Sequence, residues 1–262
     1  TVGILARSVR DVATVYDEIA GPDPFDLTSV STPHEPVNTT LEGGAEGLRI
    51  GVPHAYFFDT IQDTVAHTVQ KGLDALEDAG AKLVELTLTP PEAVESALVA
   101  AFILIGAESS AWHGEWIDTR SDLYGEDVLR YLKMGRALPA TAYIDAQRCR
   151  QLAVETFARA FEQVDVIVTP GHGHIAPRVG QETVVFDHGE PEGRDAAGVR
   201  NLTIVNLAGL PGLIVPTGLA GNLPAGIQLI GPPLSEALIL RAGATIEDRV
   251  GHLSQRPPLS DG

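Results

Sequence analysis

Apolar residues recur at two spacings along this 262-residue chain, and the spacing predicts alternating helices and strands. Val9, Val12, Tyr16 and Ile19 repeat at helical intervals after Ser8-Val9-Arg10-Asp11, a capping box in which the Ser hydroxyl takes a backbone N–H three residues on. Gly21-Pro22 stops that helix, and Pro22 to Gly47 is a polar surface loop. Residues 48–53 form a short strand ending at Pro53. Val65, Val69, Leu73 and Leu76 mark a helix that ends at Gly80, and Lys82 to Leu88 alternates with period two. Strand, helix and strand in so short a span make a βαβ unit with parallel strands.

Further on, Pro90-Pro91 opens a helix that reaches about Trp112. A second helix covers Ser121 to Met134, and a long one covers Ala140 to Val164. Asp165 to Pro170 is a continuous apolar run, the mark of a strand buried on both faces. Gly171 to Gly193 is a loop rich in Gly, His and Pro, followed by a short helix from Asn201 to Leu210. Leu213 to Pro216 and Gly226 to Ile230 form a hairpin, and a last helix runs from about Leu234 to Arg249. The expected fold is α/β: a mixed, mostly parallel β-sheet flanked by helices on both faces, in a single domain over 1–262. The longest near-apolar run, Ala97 to Ala107, has eleven residues, too few to span a bilayer as a helix.

Charge narrows the partners. Acidic residues number 35 against 18 basic, a net of −17, so a phosphate-binding surface is disfavoured and no nucleic-acid partner is expected. Only three basic residues are Lys (Lys71, Lys82, Lys133), a bias that fits either a high-salt host or GC-rich coding. Cys149 is the only cysteine, which excludes a disulfide framework. With no signal-peptide pattern, the expectation is a cytoplasmic protein without a membrane partner. The chain opens on Thr1 rather than Met and runs straight into a helix signal, as a piece of a longer chain would.

Side-chain chemistry alone yields no catalytic centre. The G-x-S-x-G elbow is missing, and Ser109-Ser110 sits in an apolar helix where packing explains it. His172 and His174 form a candidate metal pair with His188 as a third ligand, but no helical spacing supports it, and polar loop histidines are the plainer account. Gly171, Gly173 and Ala176 match G-x-G-x-x-A after a strand, yet Pro177 follows where the anion-binding helix should start. No cofactor and no metal are implied.

The order of motifs says more. The segments Thr1 to Ala13 with Ala20-Gly21-Pro22-Asp23-Pro24, Asp165 to Pro170 (DVIVTP), Asn206 to Pro211 with Val215-Pro216, and Leu223 to Gly231 (LPAGIQLIG) resemble, in sequence order, the amidase signature family. The resemblance runs from Thr1 to about Arg249 and covers the part of the family's domain downstream of its catalytic segment. It implies hydrolysis of a carboxamide by a Ser–Ser–Lys triad, with an unprotonated Lys, a relaying Ser and an attacking Ser. The Gly/Ser-rich segment that carries the triad's serines has no match here, so no catalytic residue is assigned. Arg150 and Gln228 are the candidate substrate-binding residues. In glutamine-using members an Arg and an Asp hold the substrate's α-groups. Arg150 stands at the Arg position, but Val199-Arg200-Asn201 stands where the Asp would be, and Asp195 is out of register. The resemblance thus implies an amidase fragment acting on a small amide, alone or as a homodimer. The alternatives are the glutamine-hydrolysing subunit of a tRNA-dependent amidotransferase, or a binding module without catalysis.

Overall fold

A computed structural model describes residues 2–26 and 28–251. Thr1 of the opening motif and the tail from 252 onward therefore lie outside the described residues. Two compact units emerge. The first comprises Thr1–Thr87, Phe161–Asn201 and Leu210–Gly262; the second comprises Leu88–Ala160 and Leu202–Gly209.

The first unit is built on a five-stranded sheet. Its strands are β1 (Arg49–Val52), β2 (Lys82–Glu85), β3 (Val166–Pro170), β6 (Gly212–Ala220) and β7 (Leu223–Ile230), with β4 (Thr183–Val184) and β5 (Glu192–Gly193) forming a separate ribbon. The order is β2-β1-β3-β7-β6. β1 is parallel to β2 and β3, whereas β7 is antiparallel to both β3 and β6. Four strands thus share one direction and β7 alone opposes them, so the sheet is mixed and mostly parallel, as the pattern predicted.

Alternation assigns the two faces. Ile50, Val52, Val166, Val168, Leu213, Val215, Ile227 and Leu229 point one way into a core completed by α2 (Asp63–Asp78) and α9 (Glu236–Val250). Val65, Val69 and Leu76 of α2 are fully buried there, each contributing about 1.5–3 kcal/mol of transfer free energy. Two helix glycines permit this close approach: a Cβ on Gly72 would lie 2.7 Å from Ile227, and one on Gly243 would lie 2.5 Å from Leu213. The opposite face carries Ile167, Thr169, Ile214, Pro216, Gln228 and Ile230, since these pair with one another in the same register.

Helix α1 (Val9–Ile19) starts as expected, with Ser8 Oγ accepting from Asp11 N at 3.0 Å. The N–H of Val9 is taken from afar: both carboxylate oxygens of Glu247, on α9, accept it at 3.0 and 3.1 Å. Burial raises the pKa of Glu247, against the lowering effect of that bond. Asp17 ties α1 to the 3₁₀ segment Val37–Gly43 by accepting from Val37 N, Asn38 N and Asn38 Nδ2, with His34 Nε2 also 2.9 Å away. Desolvation pushes the Asp17 pKa up, but these hydrogen bonds together win and it lies below the usual range.

The second unit is helical: α3 (Glu92–Glu95), α4 (Ala97–Trp112), α5 (Gly114–Thr119), α6 (Glu126–Arg136) and most of α7 (Ala140–Phe161). The expectation drawn from an eleven-residue apolar run needs correcting here. The helical stretch Glu92–Trp112 has 21 residues and is, by length and composition, sufficient to cross a membrane. Of its most apolar window 44% is buried in the protein. The packing behind that figure is a close crossing with α6, where a Cβ on Gly135 would fall 2.0 Å from the Gly106 carbonyl oxygen.

Two other expectations change. The helix foreseen from Asn201 is α8 (Arg194–Ala208) and starts seven residues earlier. Its first two turns, Arg194 to Asn201, contain Gly198 and few large apolar residues, so no stripe betrays them. They are set instead by tertiary partners: Arg194 N donates to Glu182 O, and Arg200 pairs with Glu192 at 2.7 Å. The segment Gly171 to Gly193 is not all loop, because Thr183 pairs with Gly193 and Val184 with Glu192.

Candidate functional site

The C-terminal end of β3 gathers several of the buried polar groups of the first unit. Thr169 and Gln228 are cross-strand partners on the face away from α2 and α9. Gln228 Nε2 donates to Thr169 Oγ1 at 3.0 Å and to the Asn201 carbonyl at 3.2 Å. Asn201 Nδ2 donates to Pro170 O at 3.1 Å. All three side chains are almost fully buried. Asn201 Oδ1 has no donor among the described residues. Both of these Gln228 bonds use its nitrogen. A buried acceptor left without a donor is costly, so such groups mark strain, unseen water or a ligand.

Beyond β3 the chain stays against the sheet. Gly171 N continues the ladder to Gly226 O, and Gln62 N donates to Gly173 O at 2.7 Å. Gly173 is required by contact rather than by torsion, since its Cβ would sit 2.2 Å from Thr60 O. This fixes the two flanking histidines. His174 is buried with its Nδ1 2.8 Å from the Ile175 carbonyl, which can only accept, so Nδ1 carries a hydrogen. Its Nε2 is buried and has no hydrogen-bond partner among the described residues. His172 stacks edge-to-face on His174 with centroids 5.7 Å apart. Burial of its ring, and next the neighbouring His174, push the His172 pKa down, although a bond to the Gly198 backbone pulls the other way. Both rings border a half-open cavity of about 200 Å³, walled opposite by Ile214, Pro216, Pro224 and Ala225.

The other sequence candidates separate. Gln228 lies in the network above. Arg150 lies on α7 in the second unit, where its Nε donates to the Leu207 carbonyl at 3.0 Å and caps the last turn of α8. Its terminal nitrogens make no hydrogen bond among the described residues. His188 turns to Asp63 Oδ1 at 2.8 Å rather than to His172 and His174. Among the described residues no three His, Cys, Asp or Glu side chains converge as a metal site would need. No helix follows Gly173, so the glycine motif there has no anion-binding end. Asp195 is exposed at 85% and pairs with Arg194. Sequence reasoning missed Thr169 and Asn201 as members of the site, because their partners lie 59 and 27 residues away.

Four co-directional strands, one opposed strand and flanking helices define a mixed α/β fold. The fold matches a solved chain from a vestigial protein complex bearing on the origins of an s-triazine catabolic enzyme, with a TM-score of 0.82 and 28% identity. That match covers 93% of this chain and 52% of the other. Residues 1–240 match the Amidase family, and the chain belongs to it. It is 36% identical over 267 residues to a glutamyl-tRNA(Gln) amidotransferase subunit from Roseiflexus castenholzii, covering 92% of this chain and 52% of that one. An amidase from Pseudomonas putida is 33% identical over 260 residues, covering 98% and 54%. The chain spans about half the length of the curated relatives it matches.

Proposed function

We propose that this chain is the substrate-pocket part of an amidase that hydrolyses a neutral carboxamide to a carboxylate and ammonia or an amine. The family match over residues 1–240 carries this reading. In it the nucleophile, the relay and the base come from residues outside this chain, as the Ser–Ser–Lys mechanism of the family requires. Gln228 offers its Oε1 to a substrate N–H, and Arg150 holds its helix terminus while presenting its terminal nitrogens.

The glutamine-releasing subunit of a tRNA-dependent amidotransferase is the second reading, favoured by the identity to the Roseiflexus protein. An ammonium group needs a carboxylate beside it. Val199-Arg200-Asn201 stands where the family resemblance puts that carboxylate, and Asp195, out of register, is solvent-exposed. These observations support a neutral amide over glutamine. Sequencing the coding DNA before the Thr1 codon tests the division of labour. An open frame containing a Lys and then a Gly/Ser-rich segment supports it. A start codon or an unrelated domain abutting Thr1 overturns it and leaves a binding module.

A further inference from the structure

We propose that the outer face of α4 pairs with the same face of a second copy of this chain, antiparallel, about a two-fold axis at Ile105. No residue of the β3 cluster enters this contact, so it stands apart from the amidase reading. A helix apolar on all sides is normally covered on all sides, and α4 is covered on only part of its circumference. Leu98, Phe102, Ile105, Ser109 and Trp112 follow one another at steps of four and three residues, the spacing of a helix–helix seam. At about 100° per residue they share one side of the helix. Phe102, Ile105 and Trp112 are between 42% and 79% exposed, while Leu98 and Ser109 are half-buried. Helix α6 crosses α4 at Gly106, beside this seam rather than over it. Glu108, the one ionisable residue of α4, leaves the seam free of charge because it is turned to the Tyr143 hydroxyl at 3.2 Å. The seam is self-complementary, as a two-fold contact requires. With Ile105 against its own copy, Trp112 meets Leu98 and Phe102 meets Ser109, so each large ring faces a smaller side chain. Taking about 150–250 Å² for an aromatic side chain, the seam offers roughly 400–500 Å² per copy. Two copies then bury about 1,000 Å² with their flanking atoms, the low end of specific interfaces, so the dimer is a weak one.

Sedimentation velocity of the chain over a concentration series, at low and at high salt, tests the pairing. The expected result is a monomer–dimer equilibrium in the micromolar range. Salt should tighten it several-fold, because copies with a net charge of −17 repel one another and salt screens that repulsion. Ile105→Glu sets two carboxylates against each other at the axis and should weaken the dimer at least about tenfold. Ile105→Lys should do the same with two ammonium groups. An equal mixture of the two variants should associate again, since each axis then holds one charge of each sign. Ile105 is half-exposed, so both variants should keep the parent's thermal melt. A chain that stays monomeric at every concentration, a dimer indifferent to both substitutions, or variants that remain apart when mixed overturns the proposal. The same series on the protein carrying any residues encoded before Thr1 separates a second copy from an intramolecular cover. A dimer there supports the pairing, and a monomer overturns it. Flotation with phosphatidylcholine vesicles is the last arm. Vesicle binding by the parent that Ile105→Glu abolishes assigns the face to lipid and overturns the pairing, and no flotation supports it.

Discussion

Replacing Gln228 by Leu keeps the volume of the side chain and deletes its two donated hydrogen bonds. The amide links three segments, since it reaches Thr169 on β3 and Asn201 on α8 from β7. Each buried bond contributes about 0.5–1.5 kcal/mol, and each abandoned acceptor adds a desolvation cost of about 1–3 kcal/mol where no water enters. Thr169 Oγ1 keeps the hydrogen bond it donates to Pro170 O at 3.3 Å and loses only the one it accepts. The Asn201 carbonyl belongs to a helix and retains a possible helical donor. The sum expected for Gln228→Leu is therefore about 2–3 kcal/mol, close to the middle of these ranges. Urea unfolding followed by circular dichroism reads this as a lowered midpoint at unchanged slope. Thr169→Val supplies the second arm of a double-mutant cycle, with an expected coupling of about 1 kcal/mol. A Gln228→Leu variant within 0.5 kcal/mol of the parent, or strict additivity with Thr169→Val, refutes the network as a structural element. Gln228 would then serve only whatever binds against it.

Three further outcomes follow from the packing. Glu247 has a folded-state pKa above its ordinary value near 4.5, so its stabilising contribution is full below that value and is lost as pH rises through the folded pKa. Glu247→Gln keeps an acceptor for Val9 N and should flatten that decline in thermal melts between pH 4 and 8, whereas Glu247→Ala should lose about 1–2 kcal/mol of cap. Asp17 behaves oppositely: its pKa is lowered, its contribution is full above the unfolded value near 3.8, and it vanishes as pH falls through the folded one. Asp17→Asn should raise the acid-unfolding midpoint seen by circular dichroism and speed proteolysis near the 3₁₀ segment. Gly135→Ala drives a methyl into the Gly106 carbonyl and should cost about 1–3 kcal/mol in a melt; Gly106→Ala, whose nearest contact would be 3.4 Å, should cost less.

Most of the sheet was legible because its strands carry the right period. The run Asp165 to Pro170 announced a strand buried on both faces, and every residue of β3 is indeed buried. The stripe Val65, Val69, Leu73 and Leu76 announced α2 for the same reason. The hairpin was foreseen but came out longer than expected, since Pro216 and Gly218 look like strand breakers and are absorbed by an irregularity in the register. The first half of α8 was not legible, because its stability comes from Glu182 and Glu192 rather than from an apolar stripe. The site followed the same division. Gln228 was reached through a motif, while Thr169 and Asn201 joined it only through contacts distant in sequence. His172 and His174 were weighed as a metal pair and read more plainly as polar loop histidines; among the described residues no metal cluster forms around them, and His174 is instead buried with Nδ1 against the Ile175 carbonyl.

The central claim is that this chain shapes a pocket for neutral amides. Ammonia release by the protein expressed together with the residues encoded before Thr1, compared between benzamide and L-glutamine, tests it most directly. Ammonia from benzamide at a kcat/KM at least tenfold above that for glutamine is the predicted result. Release from glutamine alone contradicts the claim and makes the protein part of a glutamine-dependent amidotransferase.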